Sequence, residues 1–173
     1  MSDDRVDQFI AATLAWEGGY VDHSADKGGP TNLGITQATL SKYLGRPASK
    51  ADVRALSRET AVEIYRAGYF EAPRLSLLPE WAQAQSYDCT VLHGVSGGVK
   101  LVQRAAGAVV DGKLGPKTAA AVAGMGDRDF NLALLTARLE KFAGIVAADP
   151  TQMVFLLGWL RRAVAAYRQT LPA

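Results

Sequence analysis

Apolar residues recur at helical spacing along nearly the whole of this 173-residue chain, and that periodicity constrains the fold more than any other feature. Val6, Phe9, Ile10, Thr13 and Leu14 fall at i, i+3, i+4, i+7 and i+8, the buried stripe of an amphipathic helix. Further helices are expected over Gln37 to Leu44, capped by Thr36, and over Arg58 to Phe70, capped by Ser57, with Ala61, Ile64, Tyr65, Gly68 and Tyr69 on one face. Pro73 and Pro79 interrupt the chain before a central helix over Trp81 to Leu92. Gly94, Gly97 and Gly98 then read as an interhelical break ahead of a helix from Val99 to Ala106. Asp111-Gly112 signals a turn, and Pro116 fits the first position of a helix running to Ala123. Asp127 caps a long helix striped by Leu132, Leu135, Leu139, Phe142 and Val146, and Asp149-Pro150 restarts the chain into a last helix burying Met153, Leu156, Leu160, Ala163 and Tyr167. The fold class is therefore mainly α, with slight strand content at most.

Glu17 continues the stripe of the first helix, and Gly18-Gly19 ends that helix directly after it. Partial burial and the negative end of the helix dipole both favour a protonated carboxyl near neutral pH. Such a group can protonate a leaving sugar oxygen as a glycosidic bond breaks. Downstream, Gly28-Gly29-Pro30 and Gly34 bracket Thr31-Asn32. Small and turn-forming residues at this density let backbone approach a ligand while short polar side chains supply hydrogen bonds, as one wall of a sugar cleft requires.

Glu17-Gly18-Gly19-Tyr20, followed by Asp26, Gly28-Gly29, Thr31-Asn32 and Gly34-Ile35-Thr36, resembles the signature of glycoside hydrolase family 108. Its members are lysozyme-like N-acetylmuramidases found as phage endolysins and as secretion activator proteins. Ala61 to Tyr69 is similar to the family's second cleft helix, and Tyr87-Asp88 with His93-Gly94 to the end of its central helix. Gln103-Arg104, Val110 to Thr118 and Gly158-Trp159-Leu160-Arg161-Arg162 resemble its peptidoglycan-associated C-terminal region. The resemblance implies a lysozyme-like helical fold with at most a short β-hairpin after the first helix, between Tyr20 and Ile35, a catalytic part over 1–96 and a helical peptidoglycan-associated part over 97–173 packed on it. It also implies that Glu17 is the catalytic acid, cutting the β-1,4 bond between N-acetylmuramic acid and N-acetylglucosamine. Asp26 has the offset from the acid seen in phage lysozymes, but Asn32 stands where those carry threonine. Asp26, Thr31 and Thr36 are accordingly expected to support the site or position water. Tyr20, Asn32, Tyr65, Tyr69 and His93 are the candidates for substrate contact. Leu92 occupies a position where family members often carry asparagine, which leaves His93 as the nearest polar group there.

Net charge is only +2, yet residues 1–96 carry 9 basic and 12 acidic groups while residues 97–173 carry 10 and 5. A basic C-terminal part suits an anionic polymer, and bacterial peptidoglycan fits. Nucleic acid does not fit, because the cations are scattered and no zinc-finger or RNP-type motif occurs. Cys89 is the only cysteine, so no intrachain disulfide can form, and it reads as a buried small hydrophobe. Asp22-His23 with Asp26 lacks a second histidine at helical spacing, so neither a metal nor another cofactor is expected. Gly94-Val95-Ser96-Gly97-Gly98 matches a nucleophile elbow only formally, since both histidines precede Ser96. No apolar run approaches the roughly 20 residues of a transmembrane helix, and the acidic N-terminus lacks a secretory-signal pattern. The expectation is synthesis in the cytoplasm and action on the wall in the periplasm or outside the cell, with access through a holin, lysis or a secretion system. The rival expectation is a noncatalytic peptidoglycan-binding or secretion-assisting protein.

Overall fold

The computed structural model describes residues 3–16, 18–22 and 29–171; the expected acid Glu17, its neighbour Asp26 and His23 lie outside the described residues. The chain divides into two compact units, Met1–Gly68 and Tyr69–Ala173. Among the described residues there are nine α-helices and a single two-stranded antiparallel sheet that follows the first helix, so the chain is mainly α with one short hairpin.

In the N-terminal unit, α1 (Asp3–Trp16) buries Val6, Ile10, Thr13 and Leu14 as its periodicity dictates and packs on α4 (Arg58–Tyr65). An ion pair between Asp7 and Arg66 closes the edge of that contact. Strands β1 (Thr31–Asn32) and β2 (Ile35–Thr36) lead directly into α2 (Gln37–Leu44). Thr36 caps α2 by accepting from the Thr39 amide at 3.2 Å, and Gly45 ends it in the left-handed region. Helix α3 (Lys50–Arg54) is absent from the periodicity because five residues are too few to show a period. Its signal is a capping box, in which Ser49 and Asp52 exchange side-chain and backbone hydrogen bonds. Arg46 clamps the same Asp52 carboxylate with two bonds of 3.0 and 3.1 Å. Beyond α4, capped by Ser57 as expected, the chain widens into a π-helical segment, Arg66–Glu71. The wider turn rotates the face, so Phe70 is buried while the expected Gly68 and Tyr69 are only half-buried.

The C-terminal unit is built around α5 (Glu80–His93), in which every residue from 82 to 90 is buried. A short 3₁₀ turn, Leu75–Leu77, precedes it and buries Leu75 and Leu78, filling the stretch that the two prolines were expected only to interrupt. Helices α6 (Val95–Ala105), α8 (Asp127–Ala148) and α9 (Met153–Arg168) pack on α5, and α7 (Pro116–Met125) packs on α8.

Three expectations are corrected here. The break falls at Gly94 alone, which lies at φ 71° between α5 and α6; Gly97 and Gly98 do not break the chain, because α6 begins at Val95 and runs through both. A Cβ on Gly98 would sit 2.5 Å from the Thr90 nitrogen, so the glycine permits backbone-to-backbone contact with α5. On α8 the buried face is Phe130, Asn131, Leu134, Arg138 and Phe142, and Leu132 is 49% exposed. Polar residues occupy two of those core positions and displace the stripe that hydropathy suggests. On α9, Ala163 and Ala166 form the fully buried face, and Met153 is 56% exposed rather than inward. Among the described residues, no helix is long and apolar enough to cross a membrane.

Candidate functional site

The loop following α1 is secured to the hairpin by backbone. Val21 and Thr31 exchange N–H to carbonyl bonds, both 2.8 Å, so residues 20–22 lie beside β1. The hairpin turns on Leu33 and Gly34, both at positive φ (51° and 73°), as a two-residue turn of this hand requires. Glycine takes that conformation freely, whereas Leu33 pays for it in strain. Tyr65 supports the strained residue: its hydroxyl donates to the Leu33 carbonyl at 3.2 Å.

The register places Thr31 directly opposite Thr36, and Asn32 opposite Ile35. Alternation then sends the pair of threonines to one face and the buried pair to the other. Thr36 is committed to capping α2 and shares a 3.0 Å bond with Thr39. Thr31 makes only a long 3.5 Å contact to the Gly29 carbonyl, so its hydroxyl is the more available of the two for a ligand or a water. Asn32 is buried, and its amide donates to the Val53 and Arg54 carbonyls at 3.0 and 3.3 Å, holding the hairpin on α3. Tyr65 is 2% exposed. Both residues expected at the substrate are thus buried and bonded to backbone of this wall.

Tyr20 is half-buried and enters a network that the sequence did not disclose. Its hydroxyl donates to Asp22 at 3.2 Å, Lys50 pairs with the same carboxylate at 3.1 Å, and the Arg54 guanidinium lies 4.7 Å above the Tyr20 ring. The Lys50 hydrogen bond, aided by the charges of Lys50 and Arg54, holds the Asp22 carboxyl below its ordinary range. Lys50 and Arg54 both belong to α3, so the Ser49-x-x-Asp52 capping box was the signal from which these two residues were recoverable.

In the C-terminal unit, Tyr69 is half-buried, and its carbonyl accepts from the Thr90 hydroxyl at 2.7 Å. His93 ends α5, with its ring 5.5 Å from that of Phe142. Burial, reinforced by the charges of Arg138 and Lys141, pushes the imidazole down to about 4. It is neutral at physiological pH, because desolvation outweighs the attraction of the helix C-terminus for a cation. Asp88 accepts from two guanidiniums, Arg138 of α8 and Arg162 of α9, the latter at 2.9 Å. Arg138 is wholly buried. Arg162 thus forms an ion pair inside the unit, while Arg161 beside it is exposed. Cys89 is fully buried, and desolvation raises its thiol to about 11, which makes it a packing residue.

Comparison with known proteins gives two family matches that tile the chain. The model described as glycosyl hydrolase 108 matches residues 10–94, and the one described as a predicted peptidoglycan domain matches residues 97–164. Among solved structures, SagA of Brucella abortus is 35% identical, with 98% of this chain and 95% of that chain covered and a TM-score of 0.85. No curated protein matches the chain.

Proposed function

Since the chain belongs to glycosyl hydrolase family 108 and also carries a peptidoglycan-type C-terminal region, we propose that it is an N-acetylmuramidase. It cuts the β-1,4 bond between N-acetylmuramic acid and N-acetylglucosamine, with Glu17 as general acid. The observation that carries this reading is the family match over residues 10–94, which spans Glu17, the hairpin and α5 in one continuous segment. As the bond from the muramic C1 to the leaving oxygen breaks, Glu17 gives its proton to that oxygen, and water adds to C1. Asp26 and Thr31 are the groups assigned to supporting that water, and Tyr20, Tyr69 and His93 remain the candidates for contact with the glycan. His93 would serve as a neutral hydrogen-bonding ring rather than a cation. Residues 1–96 supply the chemistry and residues 97–173 hold the wall, reached through a holin pore or a dedicated export route.

The test is loss of turbidity and release of reducing ends from purified peptidoglycan, with mass spectrometry of the products. Glu17→Gln preserves volume and removes the proton donor, so hydrolysis should fall by at least ~100-fold with the fold intact. Full hydrolysis by that variant removes Glu17 from the mechanism. The C-terminal family match favours a second reading, a wall-binding protein that does not cleave. It predicts pull-down on peptidoglycan with no product from the unmodified chain.

A further inference from the structure

A pocket of about 590 Å³ lies in the C-terminal unit, between the 3₁₀ turn before α5 and the loop that joins α6 to α7. Three cations line it, Arg74, Lys113 and Lys117, delivered by separate parts of the chain. All three are exposed, and among the described residues none makes a salt bridge or a side-chain hydrogen bond, although the charge of Lys113 acts on the nearby Asp111 carboxylate. The one carboxylate in the lining, Asp111, is already engaged: it accepts from Gln103 at 2.7 Å and from the Lys113 amide at 2.8 Å. Those two bonds hold its carboxyl below the ordinary range, Gln103 contributing most. The first turn of α7 also borders the pocket and receives no side-chain cap, which adds partial positive charge.

The pocket's shape is fixed from beneath. Gln103 is buried, donates to the Lys113 carbonyl at 3.1 Å, and accepts from the Gly112 amide at 2.8 Å. Gly112 sits at φ +77°, where any other residue is strained, and a Cβ there would lie 2.6 Å from the Ser96 hydroxyl, which would have to turn aside. Lys113 therefore rises from a loop whose backbone is set before any ligand arrives, and Lys117 from the first turn of α7 that follows it. The wall between them is apolar, with Ala108, Leu114 and a Val109 that is 80% exposed.

We propose that this pocket binds the anionic peptide stem of peptidoglycan, an inference that rests on the wall-hydrolase reading and deepens it. Neutral amino sugars give cations nothing to pair with, whereas the stem carries several free carboxylates on a backbone of alanine and diacid residues. The exposed cations match the carboxylates, and the exposed Val109 with the half-buried Ala108 match the alanine methyls. A phosphate polymer of the wall would use the cations but leave Val109 idle.

The experiment titrates the full chain with the free tetrapeptide L-Ala-γ-D-Glu-meso-diaminopimelate-D-Ala, with the same peptide amidated at its carboxyls, and with glycerol 3-phosphate, followed by NMR amide shifts. The tetrapeptide should give saturable shifts centred on residues 108–118 that weaken with salt, and the amidated peptide should not. Lys113→Gln with Lys117→Gln should weaken the tetrapeptide by about tenfold or more, and Lys117→Arg should retain it. Arg74→Gln provides a second variant outside the loop if the double change perturbs folding. Absent shifts, shifts elsewhere, equal binding of glycerol 3-phosphate or undiminished binding by the variants each overturn the assignment. The titration needs no bond cleavage. A protein that releases reducing ends but ignores the tetrapeptide sinks this inference alone, and one that binds the tetrapeptide without cleaving glycan sinks only the catalytic reading.

Discussion

Gly98→Ala tests the contact on which the C-terminal unit is assembled. The added methyl would lie 2.5 Å from the Thr90 nitrogen and 2.6 Å from both the Cys89 carbonyl carbon and the Thr90 Cα. Carbon contacts settle near 3.5–4.0 Å, so α5 and α6 must part by about 1 Å, and backbone atoms cannot rotate aside as a side-chain end would. Overpacking costs ~1–3 kcal/mol, and contact with backbone alone puts this case at ~2–3 kcal/mol, while alanine recovers ~1 kcal/mol of helix propensity over glycine. The net loss is ~1–2 kcal/mol, read as a fall in Tm of roughly 2–8 °C. Gly144→Ala is the internal control, because it lies mid-helix in α8 with no atom within 4 Å of the new Cβ. Propensity acts there unopposed, and Tm should rise by ~2–4 °C. Both positions lie in the same compact unit, so thermal unfolding followed by circular dichroism reads them on one transition. A Gly98→Ala protein as stable as the parent, or shifts of the same sign in the two variants, would refute the close approach of α5 and α6.

Two further outcomes follow from charge. His93 titrates at about 4 when folded against an ordinary 6.5, so between those values the unfolded chain binds the extra proton. Stability should therefore fall as pH drops from 6.5 to 4 and level off below, by at most ~3 kcal/mol from this residue; urea titrations across that range check it, and His93→Gln should flatten the slope. Asp88→Leu leaves the wholly buried Arg138 and its neighbour Arg162 without their carboxylate and should cost ~3–5 kcal/mol by urea denaturation. Replacing the cluster together (Asp88→Leu, Arg138→Met, Arg162→Leu) should restore most of that loss, and a single variant losing under ~1 kcal/mol would contradict the buried network.

Devices completed by close neighbours in sequence were legible. Helix α2 was read correctly from its Thr36 cap to its last residue, because the cap and Gly45 act on backbone within one turn of the helix ends. Helix α7 began at Pro116 as expected, and the hairpin was expected from the family resemblance, while the pairing of Thr31 with Thr36 came only with the strand register. Devices completed by distant partners were not legible. Tyr65 looked like a sugar-stacking ring until a carbonyl 32 residues away claimed its hydroxyl. Gly98 looked like a chain break because only the backbone of α5 gives its missing side chain a purpose.

The same distinction explains the stripe of α8. Hydropathy assigns burial residue by residue, and on that basis Arg138 belongs outside. It is buried because Asp88 meets it from 50 positions earlier in the chain, and Asn131 is buried because Trp81 and Gln85 supply it with partners from the same helix as Asp88. One central helix thus sets the inward face of α8 by carrying the complementary polar groups. Tyr87-Asp88, part of the resemblance at the end of that helix, is then accounted for by packing: Tyr87 is buried, and Asp88 is held by Arg138 and Arg162. Its chemistry is spent on joining α5 to α8 and α9, so an Asp88 variant should lose activity in proportion to lost folded protein, and the kcat of the fraction that remains folded should be unchanged.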